Sequence, residues 1–573
     1  MCYLCASANL NAEKVWVMSG AKARGVGRNC AVLLGCAVMV GCSSAADDGT
    51  PIQEGVEVTL SDGMVVGEVD GTTRRFLGIP FAAPPMGARR WLPPESPEPW
   101  DTPLQATEFS SACPQLEAVT SPGSSDNEDC LYLNVWTPSP APSGPLPVMV
   151  WFHGGSNITG STGDSIPFLA PPTLFYNGRG LVEEANVVVV TANYRLGALG
   201  FFSHEALSDE SDDGVSGNQG LLDQRMAMEW VAANIAPFGG DPDNITIFGE
   251  SAGAFDVCFH MVSPGSQGLF DRALGQSGGC TTALRSRSEA EAEANVFTEA
   301  MGCEDAADIA ACLRALPVAD LLLEAPEDGG IEDPSPPGGD RYSGGTPRWQ
   351  FGAIVDGVVM TDQPRTLFAD GEVADVPYLL GSNTDEGTVF HALQTDVETE
   401  GEYLAALERA FGETVAAQVA EAYPVTDFDT PQDALERVTG DSLLVCSVRD
   451  TAKRAVAAGL DVFFYNFNRP IPIPALQALE LGATHGAEIA YVFGSVGPDQ
   501  LEEEDLALSA SIQRYWGRFA ATGDPNGGNE LAWPMLSEDR DIRLNLDVTL
   551  GTIEDFRSDV CVLWESVYDS QFE

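Results

Sequence analysis

A serine flanked by glycines carries the clearest chemistry in this sequence. Residues 244–248 (NITIF) have the composition of a β-strand, the pentapeptide GESAG follows at once with Ser251 at its centre, and small helix-forming residues come next. A serine on a tight strand-to-helix turn exposes its hydroxyl, and the flanking glycines are needed because a Cβ there would clash. This context predicts that Ser251 is a nucleophile.

The same pattern occurs a second time, around Ser277 in residues 275–279 (GQSGG). The chain has 59 glycines, so a Gly-x-Ser-x-Gly match has little weight without its surroundings. Residues 280–282 (CTT), which follow the second match, do not open a helical pattern. Ser251 is therefore preferred to Ser277 as the nucleophile.

Two continuous apolar runs predict buried strands, at residues 146–152 (LPVMVWF) and 187–191 (VVVVT). Helical patterns alternate with such runs, which predicts an α/β fold with a largely parallel sheet. The remaining predicted elements are an N-terminal hairpin at residues 56–66, helices at 221–234 and 502–522, and a long surface loop at 325–348.

The first 42 residues have the features of an export leader. A basic stretch precedes an apolar run at residues 31–40, which is too short to span a membrane as a mature helix. The run ends before Cys42 in a segment that resembles the processing site of bacterial lipoproteins. We expect a protein anchored to the cell envelope by a lipid on Cys42, or else cleaved nearby and secreted. Residues 43–54 then form a polar tether, and one domain spans 55–573.

The charge of the chain is strongly negative. It has 85 acidic and 29 basic residues and a formal net charge of −56, and Lys453 is the only lysine after the leader. This charge excludes nucleic acid as a partner. Two explanations of the acidity stay open, namely adaptation to salt and simple solubility.

Two longer motifs resemble those of the type B carboxylesterase and cholinesterase-like family. Residues 238–253 match the serine signature of that family throughout, and residues 128–135 (EDCLYLNV) match its second signature. The similarity covers nearly everything after residue 55. It implies the α/β-hydrolase fold, a large, mostly parallel twisted sheet flanked by helices, with long insertions in a single catalytic domain.

The resemblance also supplies partners for the serine. A serine hydroxyl needs a general base, and the base needs an anion that orients it. The implied fold has the order serine, acid, histidine, which leaves His391 and His485 as late histidines. The segment ATHGAEI around His485 resembles the catalytic histidine motif of the family. The segment GSNTDEG resembles the acid-bearing motif, with Glu386 at the catalytic position and Asp385 as the alternative.

Residues 153–156 (HGGS) resemble the glycine-rich oxyanion loop of the family. The resemblance implies that the backbone N–H groups of Gly155, Ser156 and Ala252 stabilise a negative oxygen. Ser156 replaces the third glycine usual in this loop, which limits the room for a bulky alcohol. His153 is expected to support the loop rather than act as a base.

Two further positions match residues that surround the catalytic groups in the family. Glu250 and Ser277 are expected near the histidine and the acid, as supporting residues. The resemblance thus gives the second serine match a structural explanation.

Eight cysteines follow Cys42, which suits an exported protein. Spacing alone does not assign their pairing. The resemblance implies the disulfides Cys113–Cys130, Cys303–Cys312 and Cys446–Cys561. It leaves Cys258 and Cys280 unpaired.

The resemblance implies a serine carboxylesterase that acts on small-molecule esters and needs no metal or cofactor. The loop between Cys113 and Cys130 contains no tryptophan, so a cation–π site for choline is not expected. Trp349 falls by similarity near the acyl pocket, where it favours short acyl chains, or else it is a core residue. Two other functions stay open: a lipase on longer-chain lipids, and a non-catalytic surface protein that binds partners.

Overall fold

The structure is a computed structural model. It describes residues 53–116, 125–166, 173–280, 283–322, 351–392, 397–497 and 500–571. These residues all belong to one unit, which spans Gly49–Glu573. Four expectations fall outside the described residues: the export leader with its lipidated Cys42, the tether up to residue 52, the surface loop at 325–348 and the position of Trp349.

The described strands form one large sheet and two small ribbons. Their bounds are β1 Gln53–Thr59, β2 Met64–Asp70, β3 Thr73–Pro80, β4 Leu104–Gln105, β5 Tyr132–Pro138, β6 Leu146–Phe152, β7 Ser165–Ile166, β8 Thr173–Leu174, β9 Val188–Ala192, β10 Gly240–Glu250, β11 Arg272–Gln276, β12 Arg285–Ser286, β13 Ile354–Val355, β14 Tyr378–Asn383, β15 Val462–Phe467, β16 Ile542–Leu546 and β17 Gly551–Glu554. The predicted N-terminal hairpin is the antiparallel pair β1–β2.

The large sheet is parallel in its centre and antiparallel at its edges. Its strand order is β1-β2-β3-β5-β9-β6-β10-β11-β14-β15-β16-β17, with β4 beside β2. Every pair from β9 to β16 is parallel, whereas the pairs from β1 to β9 and the β16–β17 pair are antiparallel. The carboxyl ends of the parallel strands therefore meet at one edge, where sites of α/β folds lie.

Helices cover the sheet, and they connect its parallel strands. Their bounds are α1 Arg179–Ala185, α2 Gly197–Phe201, α3 Glu205–Ser208, α4 Gln219–Asn234, α5 Ala252–Val262, α6 Arg287–Ala300, α7 Ile309–Arg314, α8 Val318–Leu321, α9 Pro364–Asp370, α10 Thr388–His391, α11 Glu400–Ala422, α12 Pro431–Gly440, α13 Cys446–Ala457, α14 Pro474–Gln477, α15 Ile489–Phe493, α16 Glu503–Thr522 and α17 Ser558–Ser570. The two helices predicted at residues 221–234 and 502–522 correspond to α4 and α16. Helix α16 ends at Gly523, whose φ of 80° closes the helix in the left-handed region.

Strand β6 shows why the central strands read as continuous apolar runs. Val148 and Val150 belong to the core cluster on one face of the sheet, and Met149 and Trp151 belong to the cluster on the other face. Successive side chains of a strand point to opposite faces, so a strand covered on both sides must be apolar at every position. The strand predicted at residues 146–152 has these same bounds in the structure.

The disulfides include one pair that sequence reasoning left open. The three pairs implied by the resemblance are bonded, and Cys258 and Cys280 are bonded as well. The expectation that these two cysteines are free is wrong. Cys258 lies on α5 and Cys280 follows β11, and the parallel pairing of β10 with β11 brings the two segments together, with a Cα–Cα distance of 5.9 Å.

No helix in the described part of the chain has the length and apolar character needed to cross a membrane.

Candidate active site

Ser251 lies at the turn between strand β10 and helix α5. Its backbone has φ 53° and ψ −124°, a combination that residues with a Cβ rarely adopt. The backbones around it approach so closely that a Cβ on Gly253 would lie 2.0 Å from the carbonyl oxygen of Phe152, and one on Gly249 would lie 2.5 Å from that of Gly253. The main-chain N–H of Ser251 donates to the carbonyl of Gln276 at 2.9 Å. The glycine spacing is thus explained by a strained turn.

The loop after strand β14 brings a carboxylate to His485. Nδ1 of His485 lies 2.7 Å from Oε2 of Glu386, whose side chain is fully buried. The other oxygen of Glu386 accepts the main-chain N–H of Asn383 at 2.7 Å. Because a carboxylate can only accept, the hydrogen bond places a proton on Nδ1 and leaves Nε2 without one when the ring is neutral.

Asp385, the alternative acid, has a different task. Its main-chain N–H donates to the carbonyl of Ala483 at 3.0 Å, its Oδ2 accepts the N–H of Ala483 at 3.0 Å, and its Oδ1 lies 3.5 Å from Arg437. These bonds join the acid-bearing loop to the segment that carries His485. Asp385 therefore holds the two loops together, while Glu386 contacts the imidazole.

On its other side, the imidazole of His485 faces the residue that precedes Ser251. Nε2 lies 3.2 Å from Oε1 of Glu250, which is also buried. Burial raises the pKa of Glu250, and His485 opposes this shift. Burial alone would lower the pKa of His485, but the charges of Glu250 and Glu386 outweigh it and raise the pKa above its ordinary value. Among the described residues, no hydrogen bond joins Oγ of Ser251 to this ring.

Sequence reasoning missed a third carboxylate in this cluster, that of Glu488. It accepts hydrogen bonds from Gln276 Nε2 at 3.1 Å and from Asn383 Nδ2 at 2.6 Å. Burial raises the pKa of Glu488, and the charge of Glu386 raises it further. The position of Glu488 three residues after His485 gave no helical signal, because Gly486 between them has a φ of 75° and α15 begins only at Ile489.

Ser277 is placed behind the site rather than in it. It follows strand β11 with a φ of 54°, and its N–H donates to the carbonyl of Gly381 at 2.8 Å. Its side chain is fully buried, and its hydroxyl has no hydrogen-bond partner within the described residues. A substrate cannot reach this hydroxyl without a rearrangement of the core.

The predicted oxyanion segment 153–156 lies against the serine, and with the adjoining Asn157 it is called the oxyanion loop below. A Cβ on Gly154 would lie 3.0 Å from the Cβ of Ser251. Gly155 and Ser156 have φ values of 105° and 56°, and such runs of turn conformations present successive N–H groups to one side. Ala252 is the first residue of α5, where the N–H has no acceptor within the helix. Backbone donors from a loop and from a helix start thus surround Ser251.

His153, the first residue of this loop, is buried and contacts both the loop and Tyr194. Its ring stacks on Tyr194 with a centroid distance of 4.5 Å, and its Nδ1 lies 2.8 Å from the carbonyl oxygen of Gly154. Burial lowers the pKa of His153 to about 4, although its bond to Gly154 opposes the shift. The ring is therefore neutral and enclosed at neutral pH.

The other histidines sit in buried hydrogen-bonded positions. His391 Nε2 lies 2.9 Å from the hydroxyl of Thr439, and His260 lies between Ser266 and Gln224 at 2.8 Å from each. In the described ranges, no group of three or more histidine, cysteine, aspartate and glutamate side chains could hold a metal ion. Of the two late histidines, His485 is the one that the fold brings to Glu386.

Comparison with known proteins decides the family. The model of the carboxylesterase family matches residues 54–564. The chain belongs to the carboxylesterase family. It is therefore an α/β-hydrolase and a carboxylic ester hydrolase, as the signatures around Ser251 implied.

One relative of this carboxylesterase is a protein named fumonisin B1 esterase from Sphingopyxis macrogoltabida. The two chains are 37% identical over 481 residues, which cover 82% of this chain and 82% of the relative. The similarity thus extends over most of both proteins.

The contact between Glu250 and His485 predicts a pH effect. The prediction that His485 is the general base implies that kcat/KM rises with pH as its ring loses a proton. Removing the charge of Glu250 destabilises the imidazolium and lowers the pKa of His485. We expect Glu250→Gln to move the acid limb of the kcat/KM profile to lower pH by about 1 unit.

The matched control is Glu554→Gln, which removes an exposed carboxylate that pairs with Arg540. Its profile should coincide with that of the unmodified enzyme. An acid limb that stays in place or moves to higher pH in Glu250→Gln would show that the charge of Glu250 does not act on the base.

Proposed function

We propose that this carboxylesterase hydrolyses its esters by a serine mechanism through an acyl-enzyme. Ser251 is the nucleophile, His485 the general base and Glu386 the residue that orients and stabilises the base. The main support is the 2.7 Å bond between His485 and the buried Glu386, next to the strained turn that carries Ser251.

In the first step, Oγ of Ser251 attacks the ester carbonyl carbon while Nε2 of His485 takes the hydroxyl proton. The imidazolium that forms is stabilised by Glu386. The carbonyl oxygen becomes an oxyanion that accepts hydrogen bonds from the N–H groups of Gly155, Ser156 and Ala252. One such donor contributes about 10²–10³-fold to kcat in serine hydrolysis.

The intermediate then collapses to the acyl-enzyme. His485 gives its proton to the alcohol oxygen, the alcohol leaves, and an ester with Ser251 remains. A water molecule attacks this ester with His485 again as the base, and the carboxylic acid is released as Ser251 recovers its proton.

Glu250 sets a condition on the first step. Nε2 of His485 rests against Glu250 in the free site, at 3.2 Å. Proton transfer requires Oγ of Ser251 and Nε2 to come within about 2.6–3.2 Å of each other, a distance that catalytic groups often reach only with substrate bound. Glu250 thus keeps the ring beside the serine and competes with it for the same nitrogen.

We propose esters of short to medium acyl chains as substrates. The ring of Phe390 lies 5.2 Å from the ring of His485, which places an apolar wall beside the base. Because the relative is named fumonisin B1 esterase, we propose fumonisin B1 as a further substrate to assay.

The assignment of the nucleophile predicts a contrast between two serines. Ser251→Ala should lower kcat/KM for p-nitrophenyl acetate by roughly 10⁴-fold or more, because the acyl-enzyme cannot form. Ser277→Ala removes a buried hydroxyl that has no hydrogen-bond partner among the described residues, and its kcat/KM should stay within about threefold of the unmodified enzyme. Initial rates on purified, folded protein give both values, and the opposite ranking would refute the assignment.

The substrate proposal predicts a maximum in a chain-length series. We expect kcat/KM for p-nitrophenyl esters to peak at acetate, butyrate or octanoate and to be at least about tenfold lower for palmitate. Fumonisin B1 is assayed in parallel by release of free acid. A maximum at palmitate would favour a lipase, and a folded protein without turnover of any ester would favour the non-catalytic binding protein.

A further inference from the structure

The oxyanion loop adopts a conformation that its own residues do not favour. Gly155, Ser156 and Asn157 follow one another with φ values of 105°, 56° and 58°. Glycine enters this region freely, asparagine enters it more readily than most residues, and serine does so rarely. A run of such residues persists only when the surrounding structure holds it.

Asn157 bonds to three residues of two other segments. It is buried, its Nδ2 lies 3.1 Å from Oδ1 of Asp256, and its Oδ1 lies 3.1 Å from the hydroxyl of Tyr194. Its main-chain carbonyl accepts the N–H of Gly197 at 2.6 Å. Both the side chain and the backbone of Asn157 therefore act as anchors.

Asp256 belongs to α5, the helix that begins directly after Ser251. Its side chain is completely buried, and its second oxygen accepts a hydrogen bond from Gln224 Nε2 at 2.7 Å. Gln224 is in turn 2.8 Å from Nε2 of His260. Burial raises the pKa of Asp256 to about 7, while the bonds from Gln224 and Asn157 oppose the shift. The aspartate is thus enclosed in a polar network inside the core, where a lost partner is not replaced by water.

The bond between Asn157 and Asp256 connects the two halves of the oxyanion hole. Gly155 and Ser156 lie on the loop with Asn157, whereas Ala252 lies on the helix with Asp256. We propose that this bond positions the loop against the nucleophile helix, so that the N–H groups of both face one oxyanion. Asn157 and Asp256 are then positioning residues of the ester hydrolysis, and the inference rests on the proposed serine mechanism.

A positioning role has a distinct kinetic signature. The oxyanion exists only in the transition state and the tetrahedral intermediate, so a displaced loop lowers kcat and leaves KM nearly unchanged. It also weakens the binding of a trifluoromethyl ketone, which forms a tetrahedral adduct with an active serine. The oxygen of this adduct accepts hydrogen bonds from the same N–H groups as the oxyanion. A purely structural role would lower the melting temperature without a parallel loss of kcat and of affinity for the ketone.

The test compares Asn157→Gly, Asp256→Ala and the double variant with the unmodified enzyme on p-nitrophenyl acetate. Glycine adopts the φ of 58° without strain, so Asn157→Gly removes the side-chain anchor alone. Active sites are counted with a fluorophosphonate, which makes kcat independent of any unfolded fraction. We expect each single variant to lower kcat about 10–100-fold and to raise the inhibition constant of the ketone in parallel. The kcat of the double variant should be no more than about threefold below that of the less active single variant, because both single changes remove the same Asn157–Asp256 bond.

Two further variants complete the design. In Asp256→Asn the amide oxygen still accepts from Asn157, and kcat should be at least about fivefold above that of Asp256→Ala. Asn218→Ala breaks a comparable bond, from Asn218 Nδ2 to Asp356 at 2.9 Å, and should destabilise the protein at unchanged kcat. The comparison of the two Asp256 variants decides the question if Asn157→Gly does not fold.

The inference is overturned if the kcat of Asn157→Gly and its inhibition constant for the ketone both stay within twofold of those of the unmodified enzyme. It is also overturned if the losses of the two single variants multiply in the double variant, or if Asn218→Ala loses as much kcat. Failure of the proposed function has a different appearance: the unmodified enzyme itself would neither turn over the ester nor react with the fluorophosphonate.

Discussion

The close approach of two backbones at Ser251 is the constraint on which the rest of the site depends. Strand β10 must turn into α5 within one residue, and the carbonyl of Phe152 at the end of β6 leaves no room for a side chain at Gly253. The same crowding fixes where the next residues after Phe152 run, which are those of the oxyanion loop. One steric restriction at the edge of the sheet thus sets both the serine and the loop beside it. In the proposed mechanism Glu386 and His485 also depend on this turn, because they lie on the segments that follow β14 and β15.

Charge is the second determinant of the site. Three buried carboxylates, those of Glu250, Glu386 and Glu488, lie around one imidazole. Burying a carboxylate is unfavourable unless it is hydrogen-bonded or paired, and each of the three has such a partner. Their negative charge favours the imidazolium, which is the form of His485 that the proposed mechanism produces during ester cleavage. The same negative charge favours a protonated His485 in the free enzyme, and a protonated ring cannot act as a base. In the proposed mechanism, the charge that stabilises the imidazolium therefore also makes the unprotonated base less available.

Local patterns and the family signatures allowed much of this arrangement to be predicted. The bounds of β6, and the presence of the hairpin, of helices α4 and α16 and of the turn at Ser251, follow from residue order, because each depends on neighbours in sequence. What was missed depends on contacts between distant segments. The bond between Cys258 and Cys280 requires the pairing of β10 with β11. Glu488 and Asn157 belong to the site because they bond to residues far away in the chain, Asn383 and Asp256. No spacing rule contains that information.

The central claim is that Ser251 forms the covalent intermediate, and peptide mass spectrometry after reaction with a fluorophosphonate tests it most directly. The account predicts one phosphonyl adduct per chain, on the peptide that contains Ser251, and no adduct when His485 is replaced by alanine at the same reagent concentration. An adduct on another serine, such as Ser277, or equal labelling without the imidazole, would contradict it.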